Sequence, residues 1–269
     1  MMFGVLFCIF FALFQVDCTR ADQISTKIYN GVNVKTGTYR FMVSIQSNEV
    51  HICGGAIINK YYVLTAAHCF IEYVISEIKI KAGTTNLNAS SYYRNVEEII
   101  RHDNFDSEGT AEYDIALVRV ETPFPLNDDS ILFINLPERD DNLKVNQLVL
   151  VAGWGNTMDE EISYELKQVL LVVADHKECK KAYGNKEVYQ FEITKRHFCV
   201  QSPSGIRGPC VRDSGGPVIR LQKKNKTSVP VILGIISWAD TNYCGDPRYP
   251  DVLTRVSKYL GWIKRNSVY

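Results

Sequence analysis

The sequence predicts an all-β fold, either a sandwich or a barrel. Apolar runs of strand length recur along almost the whole chain, many are rich in Val and Ile, and turn residues separate them. The runs cover residues 41–46, 56–58, 62–65, 78–82, 115–120, 148–152, 167–173, 218–221 and 231–238. No repeat and no linker divides them, so they are read as one continuous domain.

Two short helices interrupt the pattern. Asp175 is placed to cap the first, which runs toward Tyr183. Near the C-terminus Val256, Tyr259, Leu260 and Ile263 share one helical face, with Lys258, Lys264 and Arg265 outside it. Gly261 within that helix costs about 1 kcal/mol relative to alanine, so packing must hold it.

At 269 residues, 46% apolar and 22% charged, the chain has ample material for a large core. Its formal net charge is zero, which leaves no basic footprint for nucleic acid and no polybasic membrane patch. The densest like charge, Lys223-Lys224-Asn225-Lys226, reads as a solvated loop tip.

Residues 3–14 form an apolar run ending before Asp17. It is shorter than the about 20 residues that span a bilayer and reads as a secretory signal, residues 1–18, cut near Cys18. Its loss removes Cys8 and Cys18 and leaves six cysteines: Cys53, Cys69, Cys179, Cys199, Cys210 and Cys244. An even number in an exported chain predicts disulfides, and no C-x-x-C pair favours zinc instead. Spacing alone does not choose the pairing. Asn88-Ala89-Ser90 and Asn225-Lys226-Thr227 are glycosylation sequons, making Asn88 and Asn225 candidate glycan sites.

Two segments carry the chemistry. Thr65-Ala66-Ala67-His68-Cys69 sets an imidazole beside a cysteine. Cys210-Val211-Arg212-Asp213-Ser214-Gly215-Gly216-Pro217 sets a hydroxyl in a glycine-flanked turn. A nucleophilic serine needs a base and backbone N–H groups for the oxyanion that follows, and these segments offer both. Asp114, in Asp114-Ile115-Ala116-Leu117, supplies a third partner.

With these motifs, residues 28–269 resemble the secreted serine endopeptidases of the trypsin/chymotrypsin family. The resemblance implies two six-stranded antiparallel β-barrels with a C-terminal helix and the site between them. It implies His68 as base and acid, Asp114 as its orienting partner, Ser214 as nucleophile, and Ser237 as support for Asp114. It implies the pairs Cys53–Cys69, Cys179–Cys199 and Cys210–Cys244, each stabilising by about 3 kcal/mol in the chain-entropy model. It further implies an activation segment, residues 19–27, cut after Lys27 so that the freed Ile28 amine pairs with Asp213. Tyr29 and Asn30 depart from the family's usual residues there.

Arg212 stands where the family has glycine, and its N–H is one of the two oxyanion donors, with that of Ser214. An arginine keeps the donor but lacks glycine's conformational freedom. Its long cation is expected to hinder rigid inhibitor loops.

The family's primary specificity pocket maps onto Gly208, Ala239 and Asp251. Gly208 replaces the aspartate of trypsin-like members, and Asp251 replaces a glycine lower down. This arrangement resembles broad-specificity arthropod collagenolytic members and implies cleavage after basic and aliphatic residues. Asp251 must find a partner or protonate, and Arg248 is a nearby candidate. The stretch Gly83-Thr84-Thr85-Asn86 lacks the carboxylates of the family's calcium loop, so no metal and no cofactor is expected.

The sequence therefore predicts a secreted, monomeric endopeptidase acting on protein or peptide substrates, without nucleic-acid or membrane partners. Its activator is another protease or the mature enzyme itself. The competing class is a non-catalytic homologue that binds or regulates; retention of His68, Asp114 and Ser214 argues against it.

Overall fold

The computed structural model describes residues 31–268 apart from 107–110, 126, 140, 158–160, 186–191, 225–226 and 239–243. The expected signal and activation segments, Lys27 and Ile28, Asn225 and Ala239 lie outside the described residues.

Six strands close the first barrel: β2 (Met42–Ser47), β3 (Val50–Ile57), β4 (Tyr62–Thr65), β5 (Ile78–Ala82), β6 (Tyr92–Arg101) and β7 (Ala116–Val120). Their order is β2-β3-β4-β7-β6-β5, all antiparallel, and β2 pairs with β5 to remove both edges. Phe41, Ile45, Leu64 and Leu117 lie in its core without exposed surface.

The second sheet contains β8 (Leu148–Gly153), β9 (Lys167–Val173), β10 (His197–Gln201), β11 (Pro217–Lys224), β12 (Thr227–Trp238) and β13 (Asp251–Arg255). The order β9-β10-β13-β12-β11-β8 closes through β8–β9, and a two-residue strand, β1 (Val32–Asn33), is added to β9. Val151, Leu171, Val200 and Leu253 fill this barrel. The fold is thus the expected pair of antiparallel barrels.

The apolar runs correspond to strands, but four strands escape that reading, the first being β1, whose two residues are too few to show a pattern. β6 carries Arg94, Glu97 and Glu98 and is mostly solvent-facing, so its pattern is weak. β10 is buried up to Val200 despite His197, and β13 opens on an acidic residue, Asp251.

The first helix, α1 (His176–Ala182), is capped as expected: Asp175 Oδ1 accepts the N–H groups of Lys177 at 2.8 Å and Glu178 at 3.1 Å. The C-terminal helix α2 (Leu260–Asn266) starts later than the spacing predicts. Val256–Lys258 form a separate 3-10 turn, and the chain bends at Tyr259, whose φ is −117°. Val256, Tyr259 and Ile263 are nonetheless all buried, because the turn and the helix share one apolar face. Among the described residues no helix is long and apolar enough to cross a membrane.

All three expected disulfides are present. Cys53–Cys69 ties β3 to the His68 turn, Cys179–Cys199 ties α1 to β10, and Cys210–Cys244 joins the two segments leading toward Ser214 and Asp251.

Candidate active site

His68 opens a 3-10 turn directly after β4, held by fully buried Ala66 and Ala67 on one side and the Cys53–Cys69 bridge on the other. Asp114 precedes β7 in a tight turn where Tyr113 has a φ of 59°. That turn aims the carboxylate at His68. Asp114 Oδ2 lies 2.7 Å from His68 Nδ1, and Asp114 Oδ1 accepts the His68 backbone N–H at 2.9 Å.

The second barrel completes the arrangement. Ser237 Oγ donates to Asp114 Oδ2 at 2.6 Å, and Thr254 Oγ1 donates to the Asp114 carbonyl at 2.8 Å. Ser237 reaches Asp114 because the β12–β13 register shifts between Ile236 and Trp238, leaving Ser237 as the extra residue of a bulge.

Burial pulls the His68 pKa down, but the Asp114 charge and hydrogen bond overcome it and leave the imidazole more basic than usual. Burial pushes the Asp114 carboxyl up, yet His68, Ser237 and the backbone N–H hold it below its ordinary value. An ionised Asp114 facing Nδ1–H leaves Nε2 as the free base.

Ser214 sits between barrels. Its carbonyl accepts the Gly54 N–H from β3 at 2.8 Å, and Thr65 Oγ1 donates to the Gly54 carbonyl at 2.8 Å. Gly215 has a φ of +76°, and a Cβ there would meet Thr65 Oγ1 at 2.2 Å, so only glycine fits beside the serine. His68, Ser214 and Arg212 line one cavity of about 650 Å³ with Ile52, Ile71 and Tyr73.

Arg212 adopts a φ of 72°, a left-handed conformation disfavoured for a residue with a Cβ. His51 Nε2 lies 3.0 Å from the Arg212 carbonyl and His51 Nδ1 lies 2.8 Å from Ser44 Oγ. Burial pulls the His51 pKa down to about 4, so the ring is neutral near pH 7. It then donates from Nε2 to Arg212 and accepts at Nδ1 from Ser44. The sequence gives no sign of this role: a histidine in a strand reads as core.

Asp213 is buried, and its carboxylate accepts N–H groups from Gly155 at 2.8 Å and Cys210 at 2.9 Å. Burial pushes its pKa up to about 6 despite these bonds. Gly208 and Asp251 are brought together: a Cβ on Gly208 would lie 2.9 Å from Asp251 Oδ2. Asp251 is only 2% exposed and its Oδ1 has no hydrogen-bond partner among the described residues. Burial first, and then the Asp213 charge, raise its pKa well above the carboxylate range. Arg248 pairs with Asp246, at 2.6 Å for the closest contact. Asn88 is exposed.

The family model of trypsin matches residues 28–263. A trypsin of Blomia tropicalis, Blo t 3, is 32% identical over 257 residues, covering 94% of this chain and 90% of that protein. The solved structure of neuropsin, a serine protease expressed in the limbic system of mouse brain, superposes with a TM-score of 0.77 at 25% identity. It covers 90% of this chain and 100% of its own. Together with the paired barrels and the His68–Asp114 geometry, these matches mean that the chain belongs to the trypsin family of serine proteases.

Proposed function

We propose that the chain is a secreted serine endopeptidase, made as a precursor and activated by cleavage after Lys27. The observation that carries this is the run Ser237–Asp114–His68, whose free imidazole edge lines the same cavity as Ser214.

His68 Nε2 takes the Ser214 hydroxyl proton as Oγ attacks the scissile carbonyl carbon. Asp114 stabilises the imidazolium that forms. The N–H groups of Ser214 and Arg212 hold the oxyanion. The tetrahedral species collapses, the C–N bond breaks, and His68 returns the proton to the leaving amine. Water, deprotonated by His68, then hydrolyses the Ser214 ester.

Specificity rests with Asp251. Without a cation, burial favours its protonated form, which suits aliphatic side chains in the pocket. A lysine or arginine brings a positive charge that favours the ionised form. On the leaving-group side, exposed Val50, Ile71, Tyr73 and Val211 favour apolar residues.

The test is a peptide library varied at the residue before the cut, with chain cleaved after Lys27 and Ser214→Ala as control. Cleavage after lysine, arginine and leucine, together with fluorophosphonate labelling of Ser214, is the expected result. Folded, cleaved protein that neither turns over peptide nor labels is a binding homologue instead.

A further inference from the structure

The turn that presents Asp114 is held against its own backbone preference. Ala111 and Tyr113 have φ of 53° and 59°, so two residues with a Cβ are left-handed within three positions. The Ile115 N–H donates to the Tyr113 carbonyl at 2.7 Å, which puts Asp114 at the apex of a three-residue turn. Asparagine or glycine would hold such a φ at less cost than tyrosine does. A tyrosine is stable there only if its other contacts offset the difference.

Those contacts come from several elements. Just after β6, the His102 ring lies 4.7 Å from the Tyr113 ring, tilted 31° to it. His102 is itself enclosed by Tyr259 at 5.6 Å and Trp262 at 5.2 Å. Its Nδ1 accepts the Asn104 N–H at 3.2 Å, and its backbone N–H donates to the Ile115 carbonyl at 3.1 Å. From the segment before β10, the Arg196 guanidinium stands over the Tyr113 ring at 4.7 Å, and its Nη1 lies 3.4 Å from Glu112 Oε1. The Tyr113 N–H donates to Tyr259 Oη at 3.2 Å. Bonds from His68, Ser237 and Thr254 hold Asp114 by its carboxylate and its carbonyl. The chain entering Asp114 is held by Tyr113.

We propose that Tyr113 is a positioning residue for Asp114, its ring anchoring the turn that keeps the carboxylate against His68. The inference rests on the reading of His68, Asp114 and Ser214 as one catalytic group. Without the ring, the backbone at residue 113 relaxes toward an ordinary φ, and Asp114, the next residue, swings with it. A displacement of about 1 Å in such a group costs up to about a hundredfold in rate. A displaced carboxylate also weakens the charge and hydrogen bond that make the His68 imidazole more basic than usual. The anchor therefore acts on both the rate and the protonation of the base, through the backbone that Tyr113 shares with Asp114.

The test compares Tyr113→Ala with Tyr113→Phe in chain cleaved after Lys27. Tyr113→Ala should lower kcat at least about tenfold with KM within about twofold of the parent, and Tyr113→Phe, which keeps the ring, should restore the parent values. NMR titration of the histidine ring nitrogens in Ser214→Ala protein adds a readout that needs no turnover. There the His68 imidazole of Tyr113→Ala should titrate at lower pH than that of the parent. A parent-like kcat in Tyr113→Ala overturns the proposal. So does an unshifted His68 titration in the folded variant, even with a lower unfolding temperature, because a merely structural residue would give that result. If Tyr113→Ala does not fold, Arg196→Gln decides. Loss of a cation by charge alone moves the His68 titration up, so a downward shift supports positioning and an upward or absent shift overturns it. A parent that turns over no peptide would sink the endopeptidase reading instead, with Tyr113 still judged by the titration.

Discussion

His51 Nε2 donates to the carbonyl of Arg212, 3.0 Å away and 161 positions further along the chain. The bond fixes the peptide of a residue whose φ of 72° is unfavourable for arginine. The preceding peptide, which carries the Arg212 N–H proposed as oxyanion donor, is held separately by the Asn156 N–H donating to the Val211 carbonyl at 2.8 Å, so His51 acts on that donor through the backbone angles of Arg212. His51→Ala is expected to lower kcat about tenfold to a hundredfold with little change in KM, given a cost of about 1–3 kcal/mol for unpaired buried groups. The loss should shrink in an Arg212→Gly background, where the strained φ costs little. An equal loss in both backgrounds would remove His51 from the oxyanion hole.

Arg212→Gly by itself should stabilise the fold by about 1–2 kcal/mol, through release of the left-handed strain. It should also tighten inhibition by a Kunitz-type inhibitor, because the long cation leaves the cleft. Thermal unfolding and an inhibition titration measure the two effects separately. Inhibition already tight in the parent and unchanged in the variant would show that Arg212 does not hinder inhibitor loops.

Asp251→Gly should raise cleavage after leucine relative to lysine. In the parent, the preference for lysine should grow with pH, because the raised pKa keeps the empty-pocket carboxyl protonated until the solution becomes less acidic. Ratios of kcat/KM for matched lysine and leucine peptides across pH supply the measurement. A pH-independent ratio, the same in both proteins, would mean that Asp251 does not select the substrate.

Asp213 should make the proposed activation visible in stability. Its folded pKa of about 6 lies above the ordinary carboxylate value, so the folded precursor binds a proton more tightly than the unfolded chain does. Its stabilising contribution is therefore fully present below the unfolded pKa and is lost as pH rises through about 6. After cleavage, pairing with the Ile28 amine should remove that loss. The unfolding temperature of cleaved Ser214→Ala protein should pull ahead of the uncleaved form between pH 4 and 7. A difference that stays flat would contradict the ion pair.

Lys81 is 4% exposed in β5, and its Nζ donates to the Leu87 carbonyl at 2.6 Å and Tyr93 Oη at 2.8 Å. It thereby closes the loop that lacks calcium-binding carboxylates. Lys81→Met should destabilise the fold by about 1–3 kcal/mol by leaving the carbonyl and phenol unpaired. Added calcium should not raise the unfolding temperature of the parent; a clear rise would place a cation site in this chain.

The sequence is most legible where chemistry is concentrated in short stretches. His68 beside Cys69, and Ser214 before two glycines, are recognisable because each motif must form its own tight turn. Asp114 was legible through the strand it precedes. β6 was not, because its charges face solvent and blur the alternation. The role of Ser237 could be named from the resemblance, but the bulge that delivers it could not.

By itself, the sequence determined the all-β class, the identity of the motif residues and a set of cysteines able to form three bridges. Tertiary structure alone decided that His51 would clamp Arg212 and that Asp251 Oδ1 would lack a hydrogen-bond partner among the described residues. The difference is physical. A motif is a property of neighbours along the chain, whereas these juxtapositions depend on strand register and barrel closure. Register and closure arise from the packing of many residues together, and no short stretch encodes them.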